Sequence, residues 1–328
     1  MPHDTAPTPK PRHLDYWRRR GERRTDAWTR RTGSRVGPPI PNTLAAGDDR
    51  GLTPQGLALD PASGNLVQSY YGYNARRQSV AALSLIDEES GEQITEVRLG
   101  RYTPPDDAPP SREDAKAYRR TPRHAGGVVV DGDEVLVTDR GRVFTYSLAT
   151  IRAAAAGDTV GQSRPSRPCQ GGSYAALDRD TLYLGDFTES LLYVYHRTKD
   201  SWQRAEDEPL PAPKNAQGLV VREEEFVFTT SFGRHNRGRL VVVRRADRKK
   251  LLVYRLPNMA EGVVALGDEL ITTYESGAQH YATRQWRLRR SLWAGATMTR
   301  TPLSELGLGP EPGPTRWQRV KRWIRRKA

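Results

Sequence analysis

The feature that most constrains this chain is a phrase it repeats. "NMAEGVVALGDELITTYESG", residues 258–277, has a small-residue start, a short apolar strand, a Gly-Asp turn, a second strand and a Glu-Ser-Gly end. "NAQGLVVREEEFVFTTSFG", residues 215–233, follows the same plan. Five segments begin alike: "QGLALD" at Gln55, "GGVVVD" at Gly126, "SYAALD" at Ser173, "QGLVVR" at Gln217 and "EGVVAL" at Glu261. Each leads through a polar turn into a β-rich strand: "NLVQSYY", "EVLVTDR", "TLYLGDF", "EFVFTTS" and "ELITTYE". Third strands follow in "SVAALSLID", "RVFTYSLA", "LLYVYHR" and "RLVVVRR", and fourth strands in "EQITEVRLG" and "KKLLVYRLP". The last three intervals are about 45 residues, the period of a propeller blade. The first is about 70, and the Pro- and charge-rich stretch 101–123 reads as an inserted loop that explains the excess.

One antiparallel sheet cannot bury both its faces alone. Sheets packed face to face around an axis can, and they leave only short edges. The small residues Gly56, Ala58, Gly126, Gly127, Ala175, Ala176, Gly218 and Gly262 suit inner strands crowded near that axis. The expected fold is therefore all-β: a β-propeller over residues 37–308 with five countable four-stranded blades. A sixth is possible if residues 285–308 join a strand from 36–50. An ordinary β-sandwich of similar hairpins is the alternative.

The charge sits at the ends. Residues 1–36 carry a net +6, residues 314–328 a net +7 and the body none, for +13 overall. Four of the seven tryptophans, Trp17, Trp28, Trp317 and Trp323, lie in those ends. Residues 1–36 read as a basic extension, disordered over 1–12, with Leu14, Trp17 and Trp28 as anchors and Gly21 weakening any single long helix. Residues 309–328 read as a basic amphipathic helix in which Trp317, Arg319, Arg322, Trp323 and Arg326 meet an anionic membrane surface or an acidic partner. Nucleic acid is the rival partner. No apolar run approaches membrane-spanning length and no secretory signal is visible, so the expected location is cytoplasmic, with peripheral attachment through the ends. A single cysteine, Cys169, excludes internal disulfides and cysteine-based metal clusters. Phosphate-loop, dinucleotide, zinc-protease and serine-elbow motifs are absent.

The phrases "QGLALD…GNLVQSYY" and "AEGVVALGDELITTYESG" resemble the NHL, gluconolactonase (senescence-marker-protein) and strictosidine-synthase-like β-propellers over about residues 50–285, and more closely uncharacterised actinobacterial propeller proteins. The lactonase branch of that resemblance implies a divalent metal, Ca²⁺ or Mg²⁺, at the axis. Glu261 in "EGV" matches one of its ligands and Gln217 stands where an Asn ligand belongs. No residue matches the third.

In a propeller, the residue before each first strand points at the axial mouth. That ring is Gln55, His124 beside Gly126, Ser173, Gln217 and Glu261, a set suited to a polar ligand, a hard cation or ordered water. The far ends of the second strands add Asp139, Asp186 and Glu275 as candidate general acids and bases. The loop "SFGRHNRGR" offers Arg234 and His235 to an anionic group. Three classes of function follow: a binding and scaffolding propeller docked by its basic ends, a metal-assisted lactonase-like hydrolase, and a nucleic-acid-associated protein.

Overall fold

The computed structural model describes residues 11–43, 51–73, 78–104, 118–199, 201–278, 281 and 295–309, with side chains from residue 15 onward. The chain opens with helix α1 (Pro11–Thr32) and a short strand β1 (Arg35–Pro39). Blade 1 is β2 (Thr53–Leu59), β3 (Leu66–Tyr73), β4 (Ser79–Ile86) and β5 (Gln93–Tyr102). Blade 2 starts with β6 (Gly127–Asp131), β7 (Glu134–Asp139) and β8 (Arg142–Ser147). The chain then turns through helix α2 (Leu148–Ala153), capped at its start by the Ser147 hydroxyl, which accepts from the Thr150 amide. It reaches back to lay β9 (Thr159–Gln162) parallel to β5, and returns as β10 (Arg164–Pro168), the outer strand of blade 2. This stitch covers the edge of blade 1. An ion pair from Arg152 to the buried Asp60 fastens α2 to blade 1.

Blade 3 is β11 (Tyr174–Asp178), β12 (Thr181–Asp186), β13 (Leu191–Arg197) and β14 (Trp202–Arg204), with β15 (Leu210–Pro211) also on β13. Blade 4 is β16 (Ala216–Val221), β17 (Glu225–Thr230), β18 (Arg239–Arg244) and β19 (Lys250–Arg255). Blade 5 is β20 (Ala260–Leu266), β21 (Glu269–Tyr274) and β22 (Thr297–Pro302), completed by β1 from the other end of the chain. The inner strands β2, β6, β11, β16 and β20 contact one another in a closed cycle. The protein is thus a five-bladed β-propeller.

This corrects the sixth blade. The two terminal strands do pair, but they fill the third and fourth places of blade 5, with Val36 opposite Thr299. β1 contains Pro38 and Pro39, which an outermost strand tolerates because its far side needs no donor.

Apolar clusters lie between neighbouring blades. Val67, Leu83, Val137 and Phe144 join blade 1 to blade 2; Tyr183, Phe226 and Phe228 join blade 3 to blade 4. At the inner strands the backbones nearly touch. A Cβ on Gly262 would stand 2.2 Å from the Leu57 nitrogen, and one on Gly126 2.3 Å from the Ser173 oxygen, so no larger residue fits.

Helix α1 passes through Gly21 unbroken. Trp17, Gly21, Thr25 and Trp28 form one buried stripe, so the two tryptophans are spent on this protein rather than exposed as anchors. Trp28 meets Tyr254 edge-on at 6.4 Å, and its Nε1 donates to the Arg255 carbonyl at 3.0 Å. Among the described residues no helix is long and apolar enough to cross a membrane.

Candidate functional site at the axial mouth

Three inner strands carry a β-bulge at the same place. The register slips between Pro54 and Leu57, between Ala216 and Gly218, and between Ala260 and Val263. The bulged residues are Gln55, Gln217 and Glu261. A bulge re-aims a side chain that a regular pleat would send between blades. Left-handed backbone at Asn215 (φ 61°) and Met259 (φ 57°) precedes two of these bulges, and a Met in that region is strained.

The mouth is a cavity of about 390 Å³, lined by Gln55, His124, Ser173 and Gln217 from the expected ring and by Asp139, Asp186 and Glu275 from the second-strand ends. Glu261 does not line it and is only 3% exposed. Its carboxyl accepts from Gln217 Nε2 at 3.2 Å and from the Ser231 hydroxyl at 3.4 Å. Glu275 follows β21 in a single 3₁₀ turn and accepts from Gln55 Nε2. Tyr71 and Tyr281, whose hydroxyls are 2.9 Å apart, also hydrogen-bond to Glu275. His124 stacks on Tyr71 with ring centroids 4.5 Å apart.

Burial dominates the electrostatics. Loss of water pushes the Glu275 carboxyl up to about 7, against the opposing pull of its hydrogen bonds and of Arg234. Burial and the Glu275 charge together push Glu261 well above the carboxylate range. The Tyr71 and Tyr281 hydroxyls are raised by burial, with Glu275 adding to it, and burial lowers His124, which favours its neutral form. One proton near neutral pH therefore belongs to this acid pair.

The other candidates are tied to the scaffold. Asp139 accepts from the Arg123 amide at 2.7 Å. Asp186 accepts from the Thr188 and Glu189 amides, each at 2.7 Å, and holds a turn. The Ser173 hydroxyl accepts from the Phe187 amide. Arg234 sits over the Tyr281 ring at 5.0 Å, whereas His235 lines a different cavity, against α1. Trp317, Arg319, Arg322, Trp323 and Arg326 lie outside the described residues, as does the C-terminal helix expected around them.

Sequence reasoning missed Tyr281, which comes from beyond the repeated phrase and carries no positional signal. It also missed a set of hydroxyls on the second strands. Ser69 donates to the Ala125 carbonyl at 2.7 Å, Thr138 to Gly172 at 3.0 Å, and Thr229 to Glu261, each bond crossing to the next blade. The signal was present in "QSYY", "VTDR" and "FTTS", where a hydroxyl recurs at one place in the repeat.

The residues do not fit a cation held by Glu261. The amide nitrogens of Gln55 and Gln217, not their oxygens, face the two carboxyls. No group of three or more His, Cys, Asp or Glu side chains suited to a metal is present among the described residues.

No protein family matches the sequence, and no curated protein matches it. Among solved structures, glutaminyl cyclase of Myxococcus xanthus shares 13% identity at a TM-score of 0.48, over 74% of this chain and 91% of that one. A luciferin-regenerating enzyme shares 12% at 0.41, over 80% and 94%. A putative 6-phosphogluconolactonase from Bacteroides uniformis shares 10% at 0.37, over 66% and 76%. Likeness this distant says nothing of activity; the propeller rests on the strand order of the chain itself.

Proposed function

We propose that the protein is an acid–base enzyme that takes a small polar molecule into the axial mouth and hydrolyses an ester, lactone or acetal bond in it. The observation that carries this is the pair Glu261 and Glu275. Two acids are sunk at the end of one blade, fed by amide and hydroxyl donors, and neither has a salt-bridge partner among the described residues. A structural carboxyl gains nothing from such a place, because burying a charge without a cation is costly. A catalytic acid does gain. Titrating near neutrality, Glu275 holds a proton for a leaving oxygen and accepts one back from water. Tyr71 and Tyr281 position its carboxyl, neutral His124 lies beside them, and Gln55 and Gln217 line the cavity where the ligand is oriented. The cavity is of small-molecule size.

The test is a panel of lactones, aryl esters and aryl glycosides, assayed from about pH 5 to 8. Hydrolysis of a member is expected, falling as pH rises through about 7, where Glu275 loses its proton. Glu275→Gln is expected to lower kcat by roughly 10²–10⁴-fold. Turnover that is unchanged in Glu275→Gln, or absent across the panel, would contradict the reading.

A further inference from the structure

A second cavity, about 640 Å³, lies between α1 and the outer part of blade 4. Four arginines of α1 (Arg20, Arg23, Arg24 and Arg31) share its wall with Arg234, Arg237 and Arg255. His235, Asn236, Asn258 and Thr32 complete its polar lining, and among the described residues no acid lines it. Two acids of α1 are engaged elsewhere, Asp15 with Arg18 and Arg19 and Glu22 with Arg18, and the third, Asp26, does not line the cavity.

Seven arginines line one hollow, which gathers positive charge there. Arg24 is lowered by burial and by the Arg20 charge, and Arg234 by burial. The fold nevertheless holds them there through the buried stripe of α1 and the Trp28 bond to blade 4. Two buried polar atoms at the site have no hydrogen-bond partner: Arg234 Nη1 and Asn258 Oδ1. Asn258 is only 4% exposed, and its Nδ2 donates to the Arg234 carbonyl at 2.8 Å, so the loop that presents the arginines is braced from below.

We infer that this cavity is a binding site for a compact small molecule bearing two or more phosphate groups. Guanidinium forks match phosphate oxygens in pairs, and several forks converging from two walls suit several phosphates better than one. Enclosure between a helix and a blade favours a small ligand over a nucleic-acid strand, which needs an open track. Arg234 borders both hollows: it lines this cavity, and its guanidinium stands over Tyr281 of the axial mouth.

Isothermal titration of the full chain with inorganic tripolyphosphate at about 0.15 M salt tests this. One saturable site is expected. The double variant Arg24→Gln/Arg237→Gln is expected to bind at least about ten-fold more weakly. Arg101→Gln/Arg119→Gln removes the same charge from exposed positions outside the cavity and is expected to bind as the parent does. Thermal unfolding checks each variant, and Arg237→Gln alone, on an exposed loop, replaces the double variant if the latter fails to fold. Absence of saturable binding, equal weakening in both double variants, or a single-stranded oligonucleotide that outcompetes tripolyphosphate through the same arginines would each overturn the inference.

Discussion

Glu275 and Glu261 are acids in a place that disfavours their charge, and this has a consequence for stability that does not depend on any substrate. Both titrate higher in the fold than in the unfolded chain. The stability that goes with their neutral form is fully present below the ordinary carboxyl value of 4.5 and is lost as pH rises through about 7, with Glu261 extending the loss above that. Denaturant unfolding is therefore expected to show stability falling from about pH 4.5 to 7. Glu275→Gln is expected to flatten that fall by on the order of 3 kcal/mol. A variant with the parent's pH dependence would place the slope elsewhere. Cys169 gives a second expectation. Burial pushes its thiol up to about 12, against the pull of Arg142, so thiolate is scarce at pH 8. A disulfide reagent is expected to modify it only on unfolding; rapid reaction in the native protein would contradict this. At this scale the repeat made Gln55, Gln217, Glu261 and Glu275 legible, because a fixed place in a fixed phrase becomes a fixed place on the axis. That Asp139 is held by the Arg123 amide was not legible, since a backbone amide sixteen residues away carries no sequence signature.

Among the elements, the strands of the repeated phrase could be read and the completing strands could not. "RVGPP" has the composition of a loop, and its pairing with Thr297–Pro302 is decided by closure of the ring rather than by local preference. β9 and β10 were equally hidden, in a stretch whose residues alternate only weakly. Helix α1 shows tertiary contacts overriding propensity: Gly21 costs helix stability but lies on the face that packs. Trp28→Ala is expected to destabilise by about 3–5 kcal/mol, since it empties a buried site and abandons the Arg255 carbonyl. Gly262→Ala is expected to cost about 1–3 kcal/mol or more, because the new methyl meets backbone of blade 1 rather than a side chain that can swing away. Chemical denaturation of each variant checks both figures, and a loss within about 0.5 kcal/mol would contradict the packing described.

As a whole, the molecule is a ring closed by its own first strand, with one hollow on the axis and another under the first helix. Deleting residues 1–39 removes α1 and β1 together, exposes the edge of β22 and opens the last blade. Such a chain is expected to aggregate in size-exclusion chromatography; a stable monomer with parental melting would contradict closure by β1. The blade period made the ring legible in the sequence, but not the meeting of two carboxyls from opposite ends of one hairpin, which depends on a bulge and a 3₁₀ turn. The infrared carbonyl stretch of the protonated carboxyls, followed across a pH titration, tests that meeting most directly. A band surviving to about pH 6, weakening around 7 as Glu275 ionises, smaller in Glu275→Gln and with a remainder from Glu261 above that pH, is the expected result. Complete ionisation of every carboxyl by about pH 5 would contradict a proton held at the axis.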